Sequence, residues 1–173
     1  MSLATRISWF LHAHRAGITL ARSTKIDPFA VLSLKFGGGT ISIGERTSIS
    51  LGAMIAPYGG SVTIGNDCSV NPYCVLYGHG GLKIGNFVRI AAHTVIIPAN
   101  HGFEDRNIPI SRQPMKLKGI VIEDDVWIGT GVSILDGVKI AKGSVIGAGS
   151  VVTKSTEPYG IYVGNPARLV KFR

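Results

Sequence analysis

The chain has few acidic residues, few cysteines and no long apolar run. Ten Asp and Glu residues stand against 18 Lys and Arg, and only two of the 173 residues are cysteine. No segment has 18 or more consecutive apolar residues, so the sequence predicts no membrane-spanning helix. The start of the chain is too polar for a signal peptide. We therefore expect one cytoplasmic domain, working either free in the cytoplasm or at the inner face of the membrane.

The basic excess, a net charge of +8, is concentrated towards the two ends of the chain. Residues 1–26 carry Arg and Lys without any acid, and from Lys139 onward Glu157 is the only acidic residue. A basic surface of this kind binds nucleic acid, membrane or a phosphorylated ligand. No nucleic-acid motif is visible, so we predict no nucleic-acid partner and favour a phosphorylated ligand at the C-terminal end.

The sequence does contain a six-residue period between residues 122 and 154. An aliphatic residue opens each unit, and a small or β-branched residue follows four positions later. A helix would place apolar residues three and four apart, and a plain strand would alternate them. A six-residue period is instead typical of a parallel β-helix, in which each unit is a short strand with a turn. The units open at Ile122, Ile128, Ile134, Ile140 and Ile146.

The same period occurs earlier in the chain and is interrupted once. The interval from Ile84 to Ile122 is longer than its neighbours by about one coil of the β-helix, and the period is absent from residues 98–118. We predict a long loop there, and loops of that length are usually functional or disordered. Cys68 and Cys74 take the same position in consecutive units, so we predict no disulfide between them. The predicted coil starts are Ile43, Ile64, Ile84, Ile122 and Ile140.

We predict an all-β fold divided into three parts. Residues 1–25 form a helical cap, residues 26–164 form the β-helix with its loop at 98–118, and residues 165–173 form a basic tail. The cap is predicted from apolar residues at helical spacing. Two interpretations stay open for it: a cover over the first coil, or a basic amphipathic helix that touches a membrane surface. The apolar residues are Leu3, Ile7, Phe10, Leu11 and Ile18.

Four motifs in this chain resemble those of the left-handed β-helix acyltransferases with hexapeptide repeats. They are Asn100-His101, residues 122–129, residues 145–154 and residues 164–167. The resemblance points to the branch of galactoside and maltose O-acetyltransferases and polysaccharide O-acetyltransferases. It implies a left-handed parallel β-helix, a homotrimer, and acetyl-CoA as acyl donor in a cleft between subunits. Glu123 departs from the Gly that is usual at that position.

The resemblance implies that His101 is the catalytic base. A base must take the proton of the acceptor hydroxyl, and an unperturbed His has a pKa of about 6.5, close to working pH. Either Glu104 or Asp105 is a candidate to orient the ring of His101, and an ion pair with Arg106 is the alternative. Asn71 stands at the family's separation from the catalytic His and is the acceptor-binding candidate. Its alternative role is that of a corner residue in the β-helix.

The resemblance also places residues along the acyl donor. Trp127 is expected near the reacting acetyl group, and Thr130 and Ala148 along the pantetheine arm. Phosphates favour Lys and Arg, and the alternative for the basic residues is a solvated basic face. The residues expected near the phosphates of CoA are Thr153, Lys154, Arg168 and Lys171.

The functional prediction is an acetyl-CoA-dependent O-acetyltransferase. Its acceptor is a sugar hydroxyl in the biosynthesis of cell-surface polysaccharide or lipopolysaccharide. No metal site is predicted, since the H-x4-H spacing of zinc β-helix enzymes is absent. Two alternatives stay open: an N-acetyltransferase for an amino sugar nucleotide, and a non-catalytic β-helical scaffold subunit.

Overall fold

The computed structural model describes residues 16–173. They form a parallel β-helix of six coils, each of which contributes one strand to each of three sheets. The β-helix and the long interruption before residue 119 are therefore confirmed. The described residues include no helix of the length and hydrophobicity that crossing a membrane requires.

The strands are short, and neighbours in each sheet run parallel except for the last two strands of the chain, which pair antiparallel. The first sheet contains β1 (Ile18–Leu20), β4 (Thr40–Ile43), β7 (Ser61–Ile64), β10 (Leu82–Ile84), β13 (Ile120–Ile122) and β16 (Lys139–Ile140). The second sheet contains β2 (Lys25–Ile26), β5 (Ser48–Ile49), β8 (Ser69–Val70), β11 (Arg89–Ile90), β14 (Trp127–Ile128), β17 (Val145–Ile146), β19 (Gly160–Val163) and β20 (Arg168–Phe172). The third sheet contains β3 (Val31–Leu32), β6 (Met54–Ala56), β9 (Val75–Tyr77), β12 (Val95–Ile96), β15 (Ser133–Ile134) and β18 (Val151–Val152).

The core is a set of aliphatic columns inside the coils. Each predicted coil start is the last residue of a strand in the first sheet, so the aliphatic residue ends its strand rather than beginning it. Each column stacks equivalent residues at the strand spacing of about 4.8 Å. Full burial of one such side chain contributes about 1.5–3 kcal/mol. The column of the second sheet, at most 2% exposed, is Ile26, Ile49, Val70, Ile90, Ile128 and Ile146.

The outward rows of the three sheets differ in chemistry. The row of the first sheet begins with two hydroxyl residues and ends with two lysines that flank a valine: Ser42, Thr63, Lys83, Val121 and Lys139. The row of the second sheet mixes basic and aromatic residues: Lys25, Ser48, Ser69, Arg89, Trp127, Val145, Ile161 and Lys171. The row of the third sheet is mainly apolar: Val31, Met54, Val75, Val95, Ser133 and Val151.

The turns between sheets define three edges of the β-helix. From the second coil onward, the first corner joins the first sheet to the second, at residues 44–47, 65–68, 85–88, 123–126 and 141–144. The second corner joins the second sheet to the third, at residues 50–53, 71–74, 91–94, 129–132 and 147–150. The third corner leads to the next coil, at residues 57–60, 78–81, 97–119 and 135–138. The long loop is the third corner of the fourth coil and contains a 3-10 turn at Ile110–Arg112.

A ladder of side-chain oxygens closes the first corner. The Glu45 N–H donates to Oδ1 of Asn66 at 2.7 Å, and the Asn66 N–H donates to Oδ1 of Asn86 at 2.8 Å. The Asn86 N–H in turn donates to Oδ1 of Asp124 at 2.7 Å. Gly85 is required beside this contact, because a Cβ there would lie 2.3 Å from Oδ1 of Asp124.

The unusual Glu123 has a structural reason at the point where this ladder ends. Its carboxylate accepts a hydrogen bond of 2.8 Å from the Lys142 N–H. It also pairs with the ammonium group of Lys139 at 2.6 Å, and this contact holds the pKa of Glu123 below its usual range. Glu123 is tolerated because its carboxylate accepts from the N–H group of Lys142 in the last coil. In earlier coils an Asn or Asp of the following coil supplies this acceptor.

The two cysteines lie in the core, as small residues at the first and second corners. Cys68 and Cys74 are both buried and free, so the prediction of no disulfide is confirmed. Burial raises the pKa of both thiols. A raised pKa lowers the thiolate fraction, and both side chains therefore act as fillers rather than nucleophiles.

The predicted helical cap needs a correction at its end. Residues 1–15 lie outside the described residues, so the choice between cap and membrane helix stays a prediction. Ile18, assigned to the apolar stripe of that helix, lies instead in β1, where it pairs with Ile41 of β4. The Ile-Thr-Leu segment alternates apolar and polar residues, as a strand does. The first coil therefore begins before residue 26.

The predicted basic tail also needs a correction. Residues 165–173 contain β20, which pairs antiparallel with β19. An exposed strand edge has free N–H and C=O groups, and a further strand satisfies them. The basic residues of this segment are therefore placed by backbone pairing at the end of the β-helix.

Candidate functional site

The long loop carries His101 on a fixed stretch of backbone. Asn100 and Lys116 exchange two backbone hydrogen bonds of 2.9 and 2.8 Å across the base of the loop. Next to them, the Gly102 N–H donates to the Pro114 carbonyl at 3.1 Å. His101 lies between these paired residues and its side chain is exposed. The arrangement holds an imidazole in reach of an external ligand, as general-base catalysis requires.

The acidic residues after His101 do not orient its ring. Glu104 pairs with the ammonium group of Lys116, and this contact holds the pKa of Glu104 below its usual range. Oδ1 of Asp105 accepts from the Asn107 N–H at 2.8 Å instead of pairing with the neighbouring arginine. Within residues 16–173, neither carboxylate accepts a hydrogen bond from His101. These two carboxylates therefore stabilise the conformation of the loop itself.

Asn71 occupies the second corner of the third coil. Its side-chain amide donates to the Ile90 carbonyl at 2.8 Å, which is the contact expected of a corner residue. Oδ1 of Asn71 accepts no hydrogen bond from the described residues and remains available to an acceptor hydroxyl. Acceptor binding by Asn71 stays a prediction.

In each of its last three coils the second corner also keeps a backbone donor free. The N–H groups of Ala92, Thr130 and Ala148 donate to no acceptor among the described residues. The Thr130 hydroxyl donates to the Ala92 carbonyl, and the Gly149 N–H donates to the Thr130 carbonyl, both at 2.8 Å. Successive coils place these donors at the strand spacing of about 4.8 Å. A ligand with amide carbonyls along a flexible chain, such as pantetheine, matches this row.

Trp127 stands beside the free donors on the outer face of the second sheet. Its neighbours in the outward row are Arg89 and Val145, and 57% of its surface is exposed. Large exposed aromatic side chains are enriched at binding surfaces. Its place near the acetyl group stays a prediction.

The candidates for phosphate binding gather at the last coil. The turn at residues 164–167 is held to Val151 by hydrogen bonds of 3.0 and 2.8 Å, which places Arg168 beside β18. Thr153 and Lys154 follow the other end of β18, and Lys171 lies in the outward row opposite Ile161. The four candidates are exposed, so this end of the β-helix presents cations to solvent.

The topology separates the candidate base from the candidates at the second corner. Asn71, Thr130 and Ala148 share the second corner, whereas His101 belongs to the third corner. The third sheet, with its apolar outward row, lies between these two corners. Within one chain, His101 and the second-corner candidates therefore lie on different edges of the β-helix.

The described part of the chain offers no cluster of three His, Cys, Asp or Glu side chains that could hold a metal ion. His79 stacks on Tyr58 with ring centroids 4.3 Å apart, and His93 stacks on Tyr73 at 5.3 Å. These histidines belong to aromatic stacks at the third and second corners, and burial lowers the pKa of His79.

Sequence reasoning missed Lys83 and Lys118 as candidate binding residues. They lie far apart in sequence, but both line a groove on the first sheet. The coil register was the signal for Lys83, which shares one outward row with Val121 and Lys139. That register depends on the length of the loop between them. Lys118 precedes β13 at the end of the loop and has no such signal.

Comparison with known proteins places these features among transferases. Residues 119–154 match the family model described as bacterial transferase hexapeptide (six repeats). The chain is 30% identical over 141 residues to WbbJ of Escherichia coli K12, named for O-acetyl transfer in lipopolysaccharide biosynthesis. That match covers 77% of this chain and 72% of WbbJ.

One further relative and one solved structure are similar over most of this chain. A probable acetyltransferase of Mycobacterium tuberculosis is 30% identical over 92% of this chain, which spans 51% of that relative's length. The solved structure of the Bacillus cereus N-acyltransferase AntD has a TM-score of 0.79 and 29% identity, covering 91% of this chain and 85% of AntD. AntD was solved with coenzyme A and dTDP-4-amino-4,6-dideoxyglucose.

Proposed function

Because the chain belongs to the hexapeptide-repeat acetyltransferase family, we propose that it transfers the acetyl group of acetyl-CoA to a sugar hydroxyl. The acceptor is a precursor of cell-surface polysaccharide or lipopolysaccharide. The observation that carries this proposal is the position of His101, exposed between two backbone-paired residues of the loop. A scaffold subunit would have no need of such a fixed and accessible imidazole.

His101 is the general base of the proposed reaction. Its unprotonated ring nitrogen accepts the proton of the acceptor hydroxyl while the hydroxyl oxygen attacks the thioester carbonyl carbon. When the carbon–sulfur bond breaks, His101 returns this proton to the departing sulfur, so atoms and charge balance. General-base catalysis of this kind contributes about 100-fold to 10,000-fold.

The second corner is the proposed site of the acyl donor. The free N–H groups of Thr130 and Ala148 fit the amide carbonyls of the pantetheine arm. Beyond the last coil, Arg168 beside the start of β18 and Lys154 after its end supply cations for the phosphates. The donor provides the activated acetyl group, and the chain aligns it with the acceptor.

A homotrimer completes the proposed site. The outward row of the third sheet is mainly apolar, and it lies between the corner that carries His101 and the corner with the free donors. In a closed three-fold ring each contact joins two different surfaces. The third corner of one copy then faces the second corner of the next. Sedimentation equilibrium should give a mass near three times 18.3 kDa, and an active monomer would contradict the shared site.

The second candidate function is N-acylation of an amino sugar nucleotide. The similarity to AntD favours it, since AntD is an N-acyltransferase that was solved with such a nucleotide. A base at His101 would serve an amine as well as a hydroxyl. The acceptor must therefore decide between the two functions.

The proposed location is the cytoplasm, including the inner face of the membrane. Two free, buried cysteines fit a reducing compartment. The basic residues at the start of the sequence would meet anionic lipid there. Flotation of the full chain with anionic liposomes at low salt tests the membrane contact.

A thiol-release assay tests the proposed function. Acetyl-CoA is mixed with neutral sugars, acidic glycans, nucleotide sugars and amino sugars, and the His101→Ala variant is the control. Acceptor-dependent thiol release should occur with a glycan, and hydroxylamine at alkaline pH should remove the acetyl group from the product. A product resistant to hydroxylamine would be an amide and would favour N-acylation. Absence of thiol release with every acceptor would favour the scaffold alternative.

A further inference from the structure

A groove lies on the outer face of the first sheet, away from the second corner. Its volume is about 590 Å³, within the range of roughly 300–1,000 Å³ for ligand sites. A second depression of about 380 Å³ adjoins it, shares Lys83 and Val121 with it, and reaches Lys142 at the first corner. The polar side chains that line the larger groove are Ser61, Thr63, Lys83, Lys118 and Lys139.

The groove carries a net positive charge, since three lysines line it and two carboxylates, those of Glu123 and Asp136, lie beside it. Among the described residues, no carboxylate lies within 4.0 Å of the ammonium group of Lys83 or Lys118. Glu123 pairs with Lys139. Oδ1 of Asp136 accepts from the backbone N–H groups of Lys118 and Gly119, at 3.0 and 2.9 Å. Asp136 keeps its charge beside the backbone of Lys118, and Lys83 and Lys118 are the two lysines of the groove without an ion-pair partner among the described residues.

The spacing of the lysines indicates an extended ligand. Lys83 and Lys139 lie in one outward row with Val121 between them, so their Cα atoms are about 10 Å apart at the strand spacing. Lys118 and Lys142 stand at opposite ends of the same sheet. Because Lys139 is already paired with Glu123, the length of the two adjoining depressions, rather than the number of free cations, favours an extended ligand. A chain with negative charges at intervals matches this spread.

The groove is also continuous with the loop that carries the candidate base. Lys118 and Gly119 end the loop and line the groove. The hydroxyl groups of Ser61 and Thr63 lie in the same groove and donate or accept hydrogen bonds, as sugar hydroxyls require. A chain lying in the groove would therefore continue towards His101.

We propose that this groove of the first sheet binds an acidic glycan, and that it holds the acceptor chain beyond the sugar that is acetylated. The proposal rests on the proposed function, since it names the substrate class of that activity. Lys83 and Lys118 meet carboxylates of the glycan, and Ser61 and Thr63 meet its hydroxyls.

The test is calorimetric titration of the full chain with three probes. The probes are an oligomer of sialic acid, UDP as a compact diphosphate, and maltopentaose as a neutral glycan. The variant is Lys83→Gln combined with Lys118→Gln. Its matched control is Lys25→Gln combined with Lys35→Gln, which removes the same charge from exposed lysines outside the groove.

The groove variant should bind the sialic acid oligomer about tenfold more weakly than the unmodified chain does, the sum of two exposed ion pairs. The control should change this affinity by less than about twofold, and added salt should weaken it in the unmodified chain. An equal loss in the control variant, or no binding of the oligomer to the unmodified chain, would overturn the proposal. Binding of UDP with the same tenfold loss would show a diphosphate site and overturn the choice of a glycan.

Thiol release separates this inference from the proposed function. If the protein binds the sialic acid oligomer through Lys83 and Lys118 but releases no thiol from acetyl-CoA with any acceptor, the groove assignment stands and the proposed acetyl transfer is wrong. If the unmodified protein and the groove variant acetylate neutral sugars equally well and neither binds the oligomer, the proposed acetyl transfer stands and the groove assignment is wrong.

Discussion

The first and second corners are built on the same six-residue period, yet they treat their backbone donors differently. At the second position of the first corner, the N–H groups of Glu45, Asn66 and Asn86 each donate to a side-chain oxygen of the next coil. At the equivalent position of the second corner, the N–H groups of Thr130 and Ala148 have no acceptor among the described residues.

The difference comes from residue type rather than backbone shape. Asn, Asp and Glu at the first corner close a ladder, and a glycine precedes each rung where the next coil approaches closely. The second corner is approached just as closely at its first residue, since a Cβ at Gly129 would lie 2.6 Å from the Ala148 nitrogen. In the described part of the chain, its second residues, Thr130 and Ala148, have no side-chain oxygen of a following coil beside them. The first corner therefore uses the N–H groups of Glu45, Asn66 and Asn86 within the fold, whereas the second corner leaves those of Thr130 and Ala148 without an acceptor among the described residues.

The largest effect is expected at His101, which lies on the third corner and outside this comparison. His101→Ala should lower turnover by about 100-fold to 10,000-fold, the contribution of a general base. Because His101 is exposed, the melting temperature and the affinity for acetyl-CoA should stay unchanged. Steady-state kinetics and calorimetry check both parts, and a variant with near-normal turnover would remove His101 from the mechanism.

A large effect on stability is expected at the first corner. Gly85→Ala places a methyl group 2.3 Å from Oδ1 of Asp124 and 2.9 Å from its backbone nitrogen. Overpacking of this kind costs about 1–3 kcal/mol. Thermal unfolding should show a clear fall in melting temperature while the Michaelis constant of the folded enzyme for acetyl-CoA is unchanged. An unchanged melting temperature would show that the ladder adjusts to the added methyl group with no loss of stability.

The basic residues on either side of the last strand of the third sheet should show an effect on binding. Lys154→Ala and Arg168→Ala should each raise the Michaelis constant for acetyl-CoA by about tenfold, with little change in turnover, because the phosphates bind equally in ground and transition states. Lys25→Ala is the matched control on the first coil. The comparison substrate is acetyl-CoA without its 3′-phosphate. Equal discrimination between the two substrates by the variants and the unmodified enzyme would rule out the phosphate assignment.

Proline substitution compares the two corners directly. Ala148→Pro removes a donor that has no intramolecular acceptor, and Pro72 already occupies the equivalent position in the third coil. Loss of one hydrogen bond to the donor should raise the Michaelis constant for acetyl-CoA about 2-fold to 12-fold at constant melting temperature. Asn86→Pro removes a bonded donor and should lower the melting temperature instead. If both variants behaved alike, the two corners would not differ in function.

The smallest effect is expected from an exposed ion pair of the first corner. Nε of Arg46 lies 2.6 Å from Oδ1 of Asp67, and this hydrogen bond holds the pKa of Asp67 below its usual range. A lowered folded-state pKa stabilises the fold above the unfolded pKa of about 3.9, and the gain is lost as pH falls through the folded value. Arg46→Gln should therefore lower the melting temperature slightly at pH 7, with no difference near about pH 2. A difference that persisted at the acidic end would exclude the ion pair as its cause.

Much of the architecture was predictable because side-chain period determines which residues face inward. Ile64 and Ile122 were identified from the six-residue period alone, and each ends a strand of the first sheet. The loop was predictable for the same reason, since the period vanishes there. Ile18 was misplaced because one short alternating segment fits a helical stripe as well as a strand when its partner strand is unknown.

The candidate functional residues were predictable only in part. His101 and Thr130 were found through motifs, and the structure places them on different corners. The pairing of Lys83 with Lys118 had no local signal, since a loop of unrelated sequence separates them. Residues 165–173 were taken for a tail because their pairing with β19 reverses the direction of every earlier strand.

The sequence by itself determined the coil, its aliphatic columns and the position of its one long loop, because these follow from spacing within a few residues. Only the tertiary structure decided which side chains of different coils stand together. Insertions at the third corner have unequal lengths, so the register between coils is set by the parallel pairing of strands rather than by any constant interval. The closed ladder, the free donors of Thr130 and Ala148 and the lysine groove all depend on that register.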